Sequence, residues 1–225
     1  MHHRLPGLAL ASLLASLPGL ASAHQLWLER EGSTARAYFG EPVEDLRERS
    51  GGLLDRIATP RIFVGEGGQP LALRRTENAI EATLPAGAGD VRLVEEGLAP
   101  FGRSGAEKTK AVLLAREGRN ETRAAMELEL VPLTPGGKQF TLFLRGQPLP
   151  RAEVTVVAPP RWERRLRTDG EGRVTFDTPW AGRYVAEVAH VENTPGGEGD
   201  GAYARRRLVS TLSFTVEEGI PWAGH

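Results

Sequence analysis

The sequence predicts an all-β chain built as two β-sandwich-like domains. Three observations carry that expectation. The 225 residues include 27 glycines and 16 prolines, a composition that favours many turns between short segments. No stretch of the body keeps a sustained helical period of apolar residues. Short apolar runs recur instead between Gly, Pro and Asn turns, the pattern of sandwiches and barrels.

The runs follow in order. Residues 25–29 start a strand, and 35–39 form a second that closes at Gly40-Glu41-Pro42. Residues 43–56 are polar with scattered Leu, a short helix or an ordered loop around Ser50-Gly51-Gly52. Residues 61–64, 71–73, 79–84, 91–95, 110–116 and 126–131 are strand candidates. Pro132-Leu133-Thr134-Pro135-Gly136-Gly137 is the boundary, which puts the domains at 24–133 and 134–225. In the second domain, 140–144 is a strand and 146–150 a turn, and Ala152-Glu153-Val154-Thr155-Val156 alternates as a half-buried strand does. Thr168-Asp169-Gly170-Glu171-Gly172-Arg173 carries an Asp-Gly turn signal before 174–176. Residues 183–191 are the next strand, 193–201 a Gly-rich loop, and 209–216 the closing strand.

Several function classes drop out. A net charge of −1 makes no electrostatic case for nucleic acid. The absence of Cys excludes disulfides, thiolate metal sites and a Cys nucleophile. There is no G-x-S-x-G elbow, and no spacing argues for paired catalytic carboxylates. Gly105-Ala106-Glu107-Lys108-Thr109 lacks the Gly before Lys and the strand–loop–helix setting of a phosphate loop. Arg161, Arg164, Arg165 and Arg167, like Arg205-Arg206-Arg207, read as solvated basic faces, with an anionic partner as the alternative. Trp162, Trp180 and Trp222 read as core or rim aromatics.

Residues 1–23 read as an export signal: Arg4, an apolar stretch over 5–20, and the small-x-small triplet Ala21-Ser22-Ala23. The expected compartment is a bacterial periplasm. The stretch is short for a membrane span, and no other segment approaches one. Cleavage after Ala23 makes His24 the first residue. A terminal His offers its α-amine and its imidazole Nδ1 to one metal ion, and a second His completes a histidine brace. Such a nitrogen set suits Cu(II). The five His are His2, His3, His24, His190 and His225. Cleavage removes the first two, and His225 ends a Pro/Gly-containing tail. That leaves His190, which shares one strand face with Tyr184, Ala186 and Val188 just before the Gly-rich loop. Trp27, three residues from His24, is placed to shape such a site. Tyr203 is a candidate axial group, and Glu192 or Asp200 a candidate carboxylate. The bland alternative is that some residue must follow the cleavage site and this one is His.

The ordered set His24-x-x-Trp27-Leu28, Tyr38-Phe39-Gly40-Glu41, Gly146-x-Pro148-Leu149, Thr168-Asp169-x-x-Gly172 and Tyr184-x-x-x-x-x-His190 resembles one family of exported bacterial proteins. That family, a domain of unknown function, was first labelled as a substrate-specific region of nickel uptake systems (NikM-like). The resemblance covers nearly the whole exported chain. It implies a periplasmic β protein tied to transition-metal handling, with nickel or cobalt as alternatives to copper. It also implies brace-type binding at the positions of His24 and His190. The second domain is similar to the prealbumin-like, Ig-like sandwiches of carboxypeptidase regulatory domains.

The leading expectation is a non-enzymatic periplasmic protein that binds copper for delivery, storage or uptake. Its expected partners are the metal ion and an envelope metal transporter or outer-membrane receptor. A nickel or cobalt uptake accessory is one alternative. A brace-type copper oxidase is another, and would need an open coordination position and a substrate face. The last is a structural or receptor-associated module in which His24 is incidental. Distance between His24 and His190 separates brace from no brace.

Overall fold

The computed structural model describes residues 24–102 and 107–222. The expected leader, Gly105, Ala106 and His225 lie outside the described residues. The chain is all-β. The first strands are β1 (Gln25–Glu31), β2 (Thr34–Glu41), β3 (Leu46–Arg47), β4 (Arg61–Val64), β5 (Leu73–Arg75), β6 (Ile80–Thr83) and β7 (Val91–Glu95). Then come β8 (Thr109–Glu117), β9 (Leu128–Pro132), β10 (Gln139–Leu144), β11 (Gln147–Pro148) and β12 (Glu153–Val157). The last are β13 (Glu163–Arg167), β14 (Arg173–Thr175), β15 (Gly182–Glu192) and β16 (Arg205–Val216). Among the described residues no helix is long and apolar enough to cross a membrane.

A central seven-stranded sheet runs in the order β13-β12-β15-β16-β8-β7-β4. Its pairs are antiparallel except β16 with β8, which is parallel. The long strand β16 explains why this sheet has two buried faces. Leu208, Leu212, Phe214 and Val216 point one way and Val209 the other, the period of two expected of a strand. On the first face lies the sheet of β9, β10, β11 and β14. The core between them includes a stack of Phe140, Phe176, Phe214 and Tyr184. On the other face stands the sheet of β1, β2, β6 and β5, with β3 on β2. It closes a second core of Leu26, Leu28, Ala37, Phe39, Leu93, Leu113 and Val209.

Strand β1 is the edge of its sheet and rests on the central sheet through hydrogen bonds. The Thr211 hydroxyl donates to the Leu26 carbonyl at 2.7 Å, and the Ser213 hydroxyl donates to the Leu28 carbonyl. All four residues are buried, so water does not supply these bonds. The contacts set the start of β1 over the β16 segment around Val209.

The expected boundary at 133/134 falls between β9 and β10, which pair with each other. The two halves therefore share sheets, joined again by the parallel β8–β16 ladder. The polar stretch 43–56 is neither a full helix nor a plain loop. It holds β3 and one 3-10 turn at Leu53–Arg56. Both basic runs are strand, except Arg161, which lies in the turn before β13. Glu163–Arg167 is the outer edge of the central sheet, exposed except at Leu166. Such charge is what keeps an open edge from pairing with another chain. Residues 205–207 extend β16 by pairing with both β15 and β8.

An ionic cluster is buried beside the first core. Glu129 Oε1 accepts Arg92 Nε and Arg116 Nη1, each at 2.8 Å. Its Oε2 accepts the backbone N–H groups of Ala125 and Met126 at 2.6 and 2.9 Å. Arg116 also reaches Asp90 at 2.5 Å, and Arg92 reaches Glu121 at 2.6 Å. The set ties the segment after β8 to the central sheet with every Glu129 oxygen occupied.

Candidate functional site

His24 precedes β1, and the β1–β2 register decides what it faces. Gln25 pairs with Gly40, so the next position outward sets His24 against Glu41. The chain then reverses, and β3 comes back along β2 at Gly40 and Glu41. A side chain at Gly40 would meet the Leu46 carbonyl oxygen at 2.1 Å, which is why glycine is needed there. The reversal continues into Glu48, whose N–H donates to the Phe39 carbonyl at 2.8 Å.

Two carboxylates thus flank one imidazole. His24 Nε2 lies 2.6 Å from Glu48 Oε1, and Nδ1 lies 3.7 Å from Glu41 Oε1. The Phe39 ring packs against the imidazole at 5.3 Å between centroids. The three polar side chains are mostly buried, with 28% of His24 and 20% of each Glu exposed. A carboxylate so close to Nε2 favours the tautomer with the proton on Nε2. In the neutral imidazole that tautomer carries its lone pair on Nδ1, the nitrogen nearer Glu41.

His190 stands elsewhere. It pairs with Leu208 and shares the strand face of Tyr184, Ala186 and Val188, which belong to the first core. His24 sits with Phe39 and Val209 on the other face. The central sheet separates them, so the structure does not bring His24 and His190 together as a brace. The physical reason is the parity of β16: Leu208 and Val209 are neighbours in sequence but point to opposite cores. His190 Nε2 instead approaches Glu192 at 3.8 Å. Arg145 bonds both Glu192 oxygens, at 2.7 and 2.6 Å, and holds its carboxyl below the usual carboxylate range.

The other expected site groups are also dispersed. Trp27 points to the face of β1 opposite Leu26 and Leu28. There it packs with Tyr38, Val157 and Val185, and its indole N–H donates to Glu29 at 3.1 Å. Tyr203 bonds Gly196 through both backbone groups. Asp200 lies in the exposed turn Gly199–Gly201, where its carbonyl accepts Lys108 Nζ at 2.8 Å. Among the described residues, no group of three or more His, Cys, Asp or Glu side chains converges as a metal site.

Glu41 and Glu48 stand outside the site groups expected from the sequence. Glu41 had a signal: the two-residue loop Gly32-Ser33 between paired Glu31 and Thr34 sets His24 opposite it. Glu48 had none, since its approach depends on the reversal at Gly40.

The chain matches the family model described as Domain of unknown function (DUF4198) over residues 103–192. That span includes His190 and excludes His24, Glu41 and Glu48. No curated protein matches the chain, and no solved structure does.

Proposed function

We propose that the chain is an exported metal-binding protein whose leader is removed before His24, and that the new N-terminus binds copper for delivery, storage or uptake. The donors are the α-amine, His24 Nδ1 and the Glu41 carboxylate. The observation that carries this reading is the 2.6 Å contact of Nε2 with Glu48 beside the 3.7 Å approach of Nδ1 to Glu41. Two donors bound at about 2 Å to one ion are at most about 4 Å apart, a limit this pair meets. The Glu48 contact supplies the outer carboxylate that fixes a metal-binding His in orientation and tautomer. A mixed nitrogen–oxygen set suits copper, with nickel or cobalt as weaker competitors. His190 takes no part.

Calorimetric Cu(II) titration of the chain beginning at His24, beside Glu41→Gln and His190→Gln, tests the reading. Tight one-to-one binding that weakens in Glu41→Gln and is unchanged in His190→Gln supports it. Loss in His190→Gln, or indifference to Glu41→Gln, contradicts it. A second reading, copper-dependent oxidation, is favoured by the groove that opens beside His24. Ascorbate-driven oxygen consumption by the copper-loaded chain, well above that of free copper, would select it.

A further inference from the structure

The groove beside His24 has a volume of about 610 Å³, within the range of small-molecule sites. Its floor is the parallel β8–β16 ladder, where Ala111 pairs with Arg207 and Leu113 with Val209. Ala111 is too short to fill the space above it. Phe39 forms part of one wall, and Phe101, 54% exposed, stands at the rim of the other.

The charged lining holds two guanidinium groups and one carboxylate. Arg207 lines the groove, and its Nε is buried with no hydrogen-bond partner among the described residues. That Nε is closed to solvent, so a ligand meets the guanidinium at its outer nitrogens, and a guanidinium is the side chain best shaped to take a carboxylate. The remaining charged lining groups are Arg56 and Asp55. Asp55 already accepts the Gly51 N–H at 2.9 Å. Glu187 on β15 feels Arg207, but burial is the larger effect and holds its carboxyl above the usual range, so it is a poor partner.

We propose that the groove binds a small apolar monoanion, an alkyl or aryl carboxylate, with its head on Arg207 and its apolar part between Phe39 and Phe101. The site does not need the metal. Isothermal titration of the metal-free chain with octanoate, and in parallel with 1-octanol, tests it. Octanoate is expected to bind one-to-one about tenfold more tightly than octanol, the effect of one charge-assisted contact. Arg207→Gln should erase that preference, and Ala111→Leu should remove both ligands by filling the floor. Equal binding of the two probes, no binding of octanoate, or octanoate binding unchanged by Ala111→Leu would overturn the proposal. Thermal melts check that both variants fold. If Arg207→Gln does not, the octanoate-to-octanol ratio and Ala111→Leu decide. Because no metal is present, failure here is separate from failure of the copper reading.

Discussion

Thr211→Val removes one hydroxyl at the place where β1 rests on the central sheet. The hydroxyl donates to the Leu26 carbonyl at 2.7 Å, and donor and acceptor residues are 2% and 1% exposed. Valine keeps the shape and the branched β-carbon. What is lost is one hydrogen bond, and what remains is a buried carbonyl that water does not reach. An unsatisfied buried group costs about 1–3 kcal/mol, and the added methyl offsets part of that, so a loss of about 1–2 kcal/mol is expected. Ser213→Ala acts on the adjacent contact to Leu28. The two bonds hold one strand, so the double variant should depart from simple addition. Because β1 carries His24, copper affinity should fall in the double variant as well. The assay is urea unfolding at 25 °C with unchanged m-value, which isolates stability from compactness. Thr211→Val within ~0.3 kcal/mol of wild type would refute the reasoning, since it would mean β1 does not depend on that bond.

Other outcomes follow from the same geometry. Glu129→Gln keeps one acceptor oxygen and turns the other into an N–H donor, so either the two guanidinium contacts or the two backbone N–H groups lose their acceptor and the buried carboxylate charge is gone, and stability should fall by about 3–5 kcal/mol in denaturant titration. Burial pushes the Glu117 carboxyl up to about 7 against the pull of Arg30. The fold therefore favours its neutral form, and the associated stability is lost as pH rises from the unfolded carboxylate value through about 7. Glu117→Gln should melt about 2–4 °C above wild type at about pH 8 and level with it at about pH 4, by calorimetry. Glu48→Ala frees His24 Nε2 and should weaken copper binding about 10–100-fold in a chelator competition.

The alternation of Tyr184, Ala186, Val188 and His190 was legible, and the structure puts their shared face toward the first core as strand parity requires. So were the turns that separate most strands. The strand character of residues 205–207 was not, because three consecutive arginines look solvated. In fact Arg206 turns to Glu127 at 2.8 Å while Arg207 turns to the groove. The separation of His24 from His190 was hidden for a topological reason. Knowing which core each His faces requires the parallel β16–β8 pairing, a contact between residues about a hundred positions apart. The buried Glu129 cluster left no trace either. A charged residue in an apolar run such as Leu128-Glu129-Leu130 reads as an outward position until the second layer is known to cover it.

The central claim is that a free amine at His24 completes the metal site. The direct measurement is Cu(II) electron paramagnetic resonance on the chain beginning at His24, beside the same chain with one glycine placed before it. A tetragonal spectrum with nitrogen couplings at one equivalent, lost in the extended chain, is the predicted result. The same spectrum and affinity in both chains would contradict it.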